Sequence, residues 1–265
     1  MQNLFAVMGN PIAHSLSPFI HQQFAKQTEQ SLVYEKMLID EDSFEKQVSD
    51  FFARGGKGLN ITLPFKERSF AMAEVKTARC LQAKAANTLW MQNGLLHADN
   101  TDGIGLIRDL TRYMDLTNKQ ILILGAGGAA RGILGPLLDS GISELTLANR
   151  TVEKALALQN EFQAIDCCSL MELKGQFDLI INATSASLEK ETIQLPLGLL
   201  KSTTYCYDLA YNAKEPTAFV KWASAHHCKS SDGLGMLVEQ AAESFFIWHG
   251  IRVNTNVVLA QLRSS

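Results

Sequence analysis

The chain has 265 residues and is 46% hydrophobic, ample for one large or two ordinary packed domains. Its 24 Lys and Arg nearly balance 27 Asp and Glu, leaving a net charge of -3, so no global field favours nucleic acid or an acidic membrane as a partner. The opening "MQNLFAVMGNP" lacks the positive flank and apolar core of a signal peptide, and no apolar run approaches the roughly 20 residues that span a bilayer, so the expected location is the cytoplasm.

Short runs rich in Val, Ile, Leu and Tyr alternate with longer helical patterns, which predicts an α/β fold of β-α-β units with mainly parallel strands. "LFAVMG" is a first strand, "SPFIHQQFAKQ" a helix with Pro18 in its first turn, and "LVYEKMLI" a second strand. "EDSFEKQVSDFFARGG" has helical spacing and ends on Gly55 and Gly56. The strand "GLNIT" runs into Pro64 and Lys66, which places that lysine at the carboxyl end of a strand, where open α/β sheets bind ligands. By default such a lysine only dresses the surface.

"ANTLWMQNGLLHADNTDG" reads as a hairpin turned at Asn93-Gly94, and its second strand delivers Asp99 to Asp102 to one edge. After the amphipathic helix "IGLIRDLTRYM", a new β-α-β series starts at "KQILILGAGGAARG", so the domain boundary is predicted near residue 102. "LTLANR", "FDLIINAT" and "TYCYDLAY" continue that series as strands, with "VEKALALQNEFQ" and "TAFVKWASAHH" as helices. From Met236, "MLVEQAAESFFIWHG" and "NVVLAQLRS" are helices without strands between them. The expected division is 1–102, 103–236 and 237–265, with the last segment returning to the first domain. No repeat or long linker interrupts the chain, which predicts closely joined domains with a ligand cleft between them.

Five cysteines, Cys80, Cys167, Cys168, Cys206 and Cys228, form an odd set without C-x-x-C spacing and are expected to be free thiols. Six histidines show no paired-ligand spacing, so no metal is expected.

"ILILGAGGAARG" joins a buried strand to G-x-G-x-x-A, formed by Gly125, Gly127 and Ala130, and a helix follows. Gly125 makes the turn, Gly127 admits a pyrophosphate to the backbone amides, and the helix N-terminus favours negative charge. At the end of the next strand "ANRT" offers Asn149, Arg150 and Thr151 with no carboxylate, which predicts NADP rather than NAD. The alternative is that Arg150 is an ordinary exposed arginine.

In "GNPIAHSLSP", Ser15 and Ser17 alternate with Leu16, so both hydroxyls can point one way and suit a carboxylate. Ser17 is equally placed to cap the helix that starts at Pro18, and both roles can coexist.

"GNPIAHSLSPFIH", "NITLPFK", "ANTL", "NTDGIG", "GAGGAARG", "NRT", "YDLAY" and "DGLGMLVEQAA" stand in the order of the shikimate dehydrogenase family, which the chain resembles over nearly its whole length. The resemblance implies an α/β substrate domain followed by a Rossmann-type NADP domain. It implies an NADP-dependent oxidoreductase that interconverts 3-dehydroshikimate and shikimate in aromatic amino acid biosynthesis, as a monomer or homodimer. Lys66 matches the catalytic acid/base and Asp102 its partner. On the same footing Ser15 and Ser17 hold the substrate carboxylate with Tyr211, while Thr62, Asn87, Asp102 and Gln240 read the ring hydroxyls and Asn60 supports them. Gly125, Ala126, Gly127, Gly128 and Ala129 match the pyrophosphate loop. Asn149, Arg150, Thr151, Val152, Glu153 and Lys154 match the adenosine-phosphate segment, and Leu209, Gly233 and Met236 surround the nicotinamide. Without the resemblance, Tyr211 and Met236 read as core or rim residues and Gln240 as a polar spot on a helix. Ala85 departs from the family, where glycine often stands. Two rivals are a quinate/shikimate dehydrogenase using NAD and a catalytically silent NADP-binding regulator.

Overall fold

The computed structural model describes residues 3–184, 186, 195–212 and 214–264. The chain divides into two compact units, Met1–Gly105 with Val238–Ser264, and Leu106–Leu237.

In the first unit β1 (Asn3–Gly9), α1 (Ser17–Gln27), β2 (Leu32–Leu38), α2 (Phe44–Ala53) and β3 (Gly58–Ile61) follow the expected alternation. Next come α3 (Lys66–Met72), the two-residue β4 (Val75–Lys76), α4 (Ala78–Ala83), β5 (Thr88–Gln92) and β6 (Leu95–Asp99). They form one sheet of order β2-β1-β3-β5-β6-β4. β1 is parallel to β2 and β3, whereas β5 is antiparallel to β3 and β6. The turn between β5 and β6 has φ of 53° at Asn93 and 81° at Gly94, the left-handed pair that a tight hairpin demands.

Side-chain alternation gives this sheet two buried faces. Ala6, Met8, Leu59 and Ile61 join Phe44, Phe51 and Phe65 on one face; Phe5 and Val7 pack with Tyr34 on the other. Asn60 stands between Leu59 and Ile61, so it is buried on the face opposite theirs, and its amide needs partners there. That is why the end of β3 carries a polar network.

The chain continues with α5 (Asp102–Leu110), β7 (Gln120–Leu124), α6 (Gly128–Leu138), β8 (Glu144–Asn149), α7 (Val152–Glu161), β9 (Asp166–Ser169) and β10 (Phe177–Asn182). It ends with β11 (Leu200–Asp208), α8 (Ala218–Ala225), β12 (Lys229–Ser231), α9 (Leu234–His249) and α10 (Thr255–Arg263). The second sheet, β12-β11-β10-β7-β8-β9, is parallel throughout. Along β7, Ile121 and Ile123 enter one core and Leu122 and Leu124 the other, the sign of a sheet covered on both faces. The α/β class expected from the sequence is the one observed. Three strands, β4, β9 and β12, escape sequence reading because they are short edge segments, two of them polar ("DCCS" and "KSS"), with no period to detect.

Ser17 differs from its expected capping role: it is the first residue of α1, and Leu16 is the N-cap and makes no side-chain cap hydrogen bond. Pro18 has no N–H to satisfy, and the N–H of Ser17 is taken by Ser15 Oγ at 3.3 Å. Among the described residues no helix is long and apolar enough to cross a membrane, and no cluster of three His, Cys, Asp or Glu side chains is placed to hold a metal ion.

Candidate active site

Lys66 is the first residue of α3, immediately after the turn that leaves β3. Its carbonyl accepts from Ala86 N at 2.8 Å and from Ser69 Oγ at 2.9 Å, which ties its backbone to the segment that carries Asn87 into β5. Its ammonium lies 2.6 Å from Asp102 Oδ2, with both side chains only partly exposed. Asp102 opens α5, and its N–H is held by Asn100 Oδ1 at 3.1 Å. Its other oxygen, Oδ1, accepts from Asn87 Nδ2 at 2.8 Å.

Asn87 is the hub of this arrangement. Its Nδ2 also lies 2.9 Å from Thr101 Oγ1 and 3.2 Å from Gln240 Oε1, and its Oδ1 accepts from Thr101 N at 2.9 Å. Lys66, Asp102, Asn87 and Gln240 therefore form one continuous chain of polar contacts inside the first unit. Asn60 joins it one layer deeper: Nδ2 reaches Asn87 O, Thr88 Oγ1 and Ser244 Oγ, and Oδ1 accepts from Tyr34 OH at 2.7 Å. Burial pushes the Tyr34 phenol well above its ordinary range, which keeps it a hydrogen-bond donor. With its amide taken up by protein atoms, Asn60 acts as a strut for its neighbours.

Ser15 Oγ and Ser17 Oγ lie 3.2 Å apart, so the two hydroxyls are adjacent, as the alternation around Leu16 predicts. Thr62 is half-buried just past β3, with its N–H on Met8 O at 2.9 Å. Tyr211 belongs to the second unit, where burial raises the pKa of its phenol. The departure at Ala85 leaves the network intact, because the Ala85 carbonyl still accepts from Asn100 Nδ2 at 3.0 Å.

Sequence reading overlooked the buried hydroxyls of Thr88, Thr101 and Ser244. A signal for them exists on α9, where Glu239, Gln240, Glu243 and Ser244 recur at i, i+1, i+4 and i+5 in an otherwise apolar helix.

In the second unit Gly125 has φ of +103°, and a Cβ there would meet Thr184 and Ala183. A Cβ on Gly127 or Gly128 would meet nothing within 4 Å, and Gly127, Gly128 and Ala129 are exposed at the start of α6. Ala126 N donates to Asn149 Oδ1 at 3.3 Å, and Asn149 Nδ2 to Thr151 O at 2.8 Å, so one side chain holds the glycine turn against the end of β8. Arg150, Thr151 and Lys154 are exposed beside the N-terminus of α7, which begins at Val152 and Glu153. This open cradle, with two cations and a helix N-terminus, fits a dinucleotide that bears an additional phosphate. Gly233 N donates to Ala210 O at 3.0 Å, and a Cβ at 233 would lie 2.2 Å from Leu209 O, so these loops meet only because residue 233 is glycine. Met236 packs on the same unit's core.

A close Lys–Asp pair in a mixed α/β unit, followed by a parallel unit that opens on a strand, a glycine-rich turn and a helix, is the layout of two-domain nicotinamide-dependent dehydrogenases. Residues 7–89 match the family "Shikimate dehydrogenase substrate binding domain", residues 108–197 "Shikimate / quinate 5-dehydrogenase", and residues 233–263 "Shikimate 5'-dehydrogenase C-terminal domain". The chain belongs to the shikimate dehydrogenase family. It is 60% identical to the shikimate dehydrogenase (NADP(+)) of Legionella pneumophila over 264 residues, covering all of both chains. It is 48% identical to that of Alkalilimnicola ehrlichii, covering 99% of each. The crystal structure of the Thermus thermophilus shikimate 5-dehydrogenase in complex with NADP(H) and shikimate is similar, at 30% identity and a TM-score of 0.90, with 99% of each chain covered.

Proposed function

We propose that the chain is an NADP-dependent shikimate dehydrogenase, which reduces the ring ketone of 3-dehydroshikimate to shikimate and runs the reverse oxidation, in aromatic amino acid biosynthesis. The observation that carries the reading is the 2.6 Å contact between Lys66 Nζ and Asp102 Oδ2, at the end of a buried polar network. When bound, NADPH supplies the hydride. As hydride reaches the carbonyl carbon, negative charge develops on oxygen, and Lys66 stabilises it and delivers a proton. An ammonium has three N–H donors; Asp102 takes one and orients the others toward the reacting oxygen. In the oxidative direction the amine takes the proton from the hydroxyl.

Asp102 keeps accepting capacity beyond Lys66 and Asn87, which suits a ring hydroxyl, and Gln240 and Asn87 offer further partners. Site groups left unpaired by an analogue without those hydroxyls would disfavour it. The adjacent Ser15 and Ser17 hydroxyls suit the substrate carboxylate. Arg150 and Lys154 would hold the additional phosphate of NADP, and the exposed backbone at Gly127 and Gly128 its pyrophosphate. The five free cysteines support a cytoplasmic location, and the protein acts as a monomer or homodimer, which sedimentation velocity distinguishes.

The test is to mix the purified protein with shikimate or quinate and with NADP or NAD, and to follow reduced nicotinamide. Turnover of shikimate with NADP is expected; rapid turnover only with quinate and NAD overturns the assignment, and no turnover at all points to a silent regulator. Lys66→Ala is expected to leave shikimate affinity roughly intact and to lose about 10²–10⁴ of turnover. Near wild-type turnover in that variant would show that another group moves the proton.

A further inference from the structure

Arg79, in the first turn of α4, has no part in the chemistry above, yet its guanidinium joins two elements that do. It grips Asp99 bidentately, Nε to Oδ1 at 2.8 Å and Nη2 to Oδ2 at 2.7 Å, and Nη2 also reaches Glu243 Oε1 at 3.1 Å. Both carboxylates are buried. Asp99 ends β6 and further accepts from Thr77 Oγ1 and Asn100 N. The next residues form the turn that presents Asp102: Asn100 holds the Asp102 N–H, and Thr101 N is held by Asn87. Glu243 lies on α9 three residues beyond Gln240, on the same face of the helix. Its second oxygen accepts from Arg252 at 2.6 Å.

We propose that Arg79 is a positioning residue, whose planar fork sets the spacing between the Asp99–Asp102 turn and α9 and so holds Asp102 and Gln240 in register with Lys66. The inference rests on the reading of Lys66 and Asp102 as acid/base and partner. The fork matters for two physical reasons. Bidentate pairing fixes angle as well as distance, which a lysine's single charged point does not. Without Arg79 the buried Asp99 carboxylate loses the cation that ties it to α9, and Arg252 stays on the far oxygen of Glu243, so the link between the turn and the helix is lost.

The test compares Arg79→Lys and Arg79→Ala with Lys66→Ala, each per folded molecule, reading kcat, KM for shikimate, KM for NADP and Tm. Arg79→Lys is expected to lower kcat/KM for shikimate by about 10- to 100-fold, the cost of misplaced reacting groups, with KM for NADP within about twofold of wild type. Guanidinium chloride at low millimolar concentration is expected to restore part of the lost turnover in Arg79→Ala and none in Lys66→Ala. Should Arg79→Ala fail to fold, Arg79→Lys, which keeps the charge, decides alone. A lower Tm with unchanged kcat/KM for shikimate in Arg79→Lys overturns the proposal, leaving Arg79 a purely structural tie. An inactive Lys66→Ala beside a wild-type Arg79→Lys removes only this inference, whereas a fully active Lys66→Ala removes the reading beneath it.

Discussion

His21, on α1, is fully buried among aromatic rings, stacked on Tyr34 at 4.4 Å between centroids and tilted against Trp248 at 5.3 Å. Among the described residues neither ring nitrogen has a hydrogen-bond partner. Burial, reinforced by the charge of nearby His249, pushes its pKa from 6.5 down to about 3. Between those values the unfolded chain binds a proton that the folded chain refuses, so stability is full above the unfolded pKa and falls as the pH is lowered toward the folded one. At about 1.36 kcal/mol per unit, lowering the pH from neutral to about 4.5 withdraws roughly 2–3 kcal/mol through this one group, and the ceiling, reached below pH 3, is about 5 kcal/mol. Against a typical folding stability of about 5–15 kcal/mol that is a large fraction. The assay is urea unfolding of wild type and His21→Phe at neutral pH and at about pH 4.5. Carboxylates and His249 titrate in both proteins and largely cancel, so the phenylalanine variant should lose roughly 2–3 kcal/mol less on acidification. Equal losses in the two proteins would refute the reasoning and mean that His21 is protonated, or hydrated, in the folded state.

Other consequences concern the ligand-binding residues. Arg150→Asp should raise KM for NADP about 10- to 100-fold, the loss of a charge-assisted pair, and narrow the preference over NAD; unchanged cofactor kinetics would mean that Arg150 only dresses the surface. Gly233→Ala places a Cβ 2.2 Å from Leu209 O, so Tm and NADP affinity should both fall while shikimate binding measured calorimetrically without cofactor stays the same. Weaker shikimate binding by itself would contradict that assignment. Asn87→Ala removes one partner from Asp102 and Gln240 and strips the buried Thr101 N–H of its acceptor, and should cost about 1–3 kcal/mol of stability, with kcat/KM for shikimate falling about 100-fold; chemical denaturation and steady-state rates measure the two effects separately.

The sequence by itself determined whatever depends on a few neighbouring residues. The glycine turn at Gly125, the hairpin at Asn93-Gly94 and the strand-helix alternation are written in local φ preferences and in periods of 2 and 3.6, so each could be read without knowing what packs on it. The adjacency of Ser15 and Ser17 follows from the same kind of alternation. Tertiary structure alone decided the partners of buried polar groups. Asn87 meets Gln240 across 153 residues of sequence and Asn60 meets Ser244 across 184, and Arg79 and Asp99 carry no local mark of their pairing. A buried donor must find an acceptor wherever packing brings one, and that choice belongs to the assembled elements rather than to any segment. For the same reason Ser17 gave up its expected cap once Pro18 and Ser15 had settled the first turn of α1, and His21 became uncharged only when the rings around it closed.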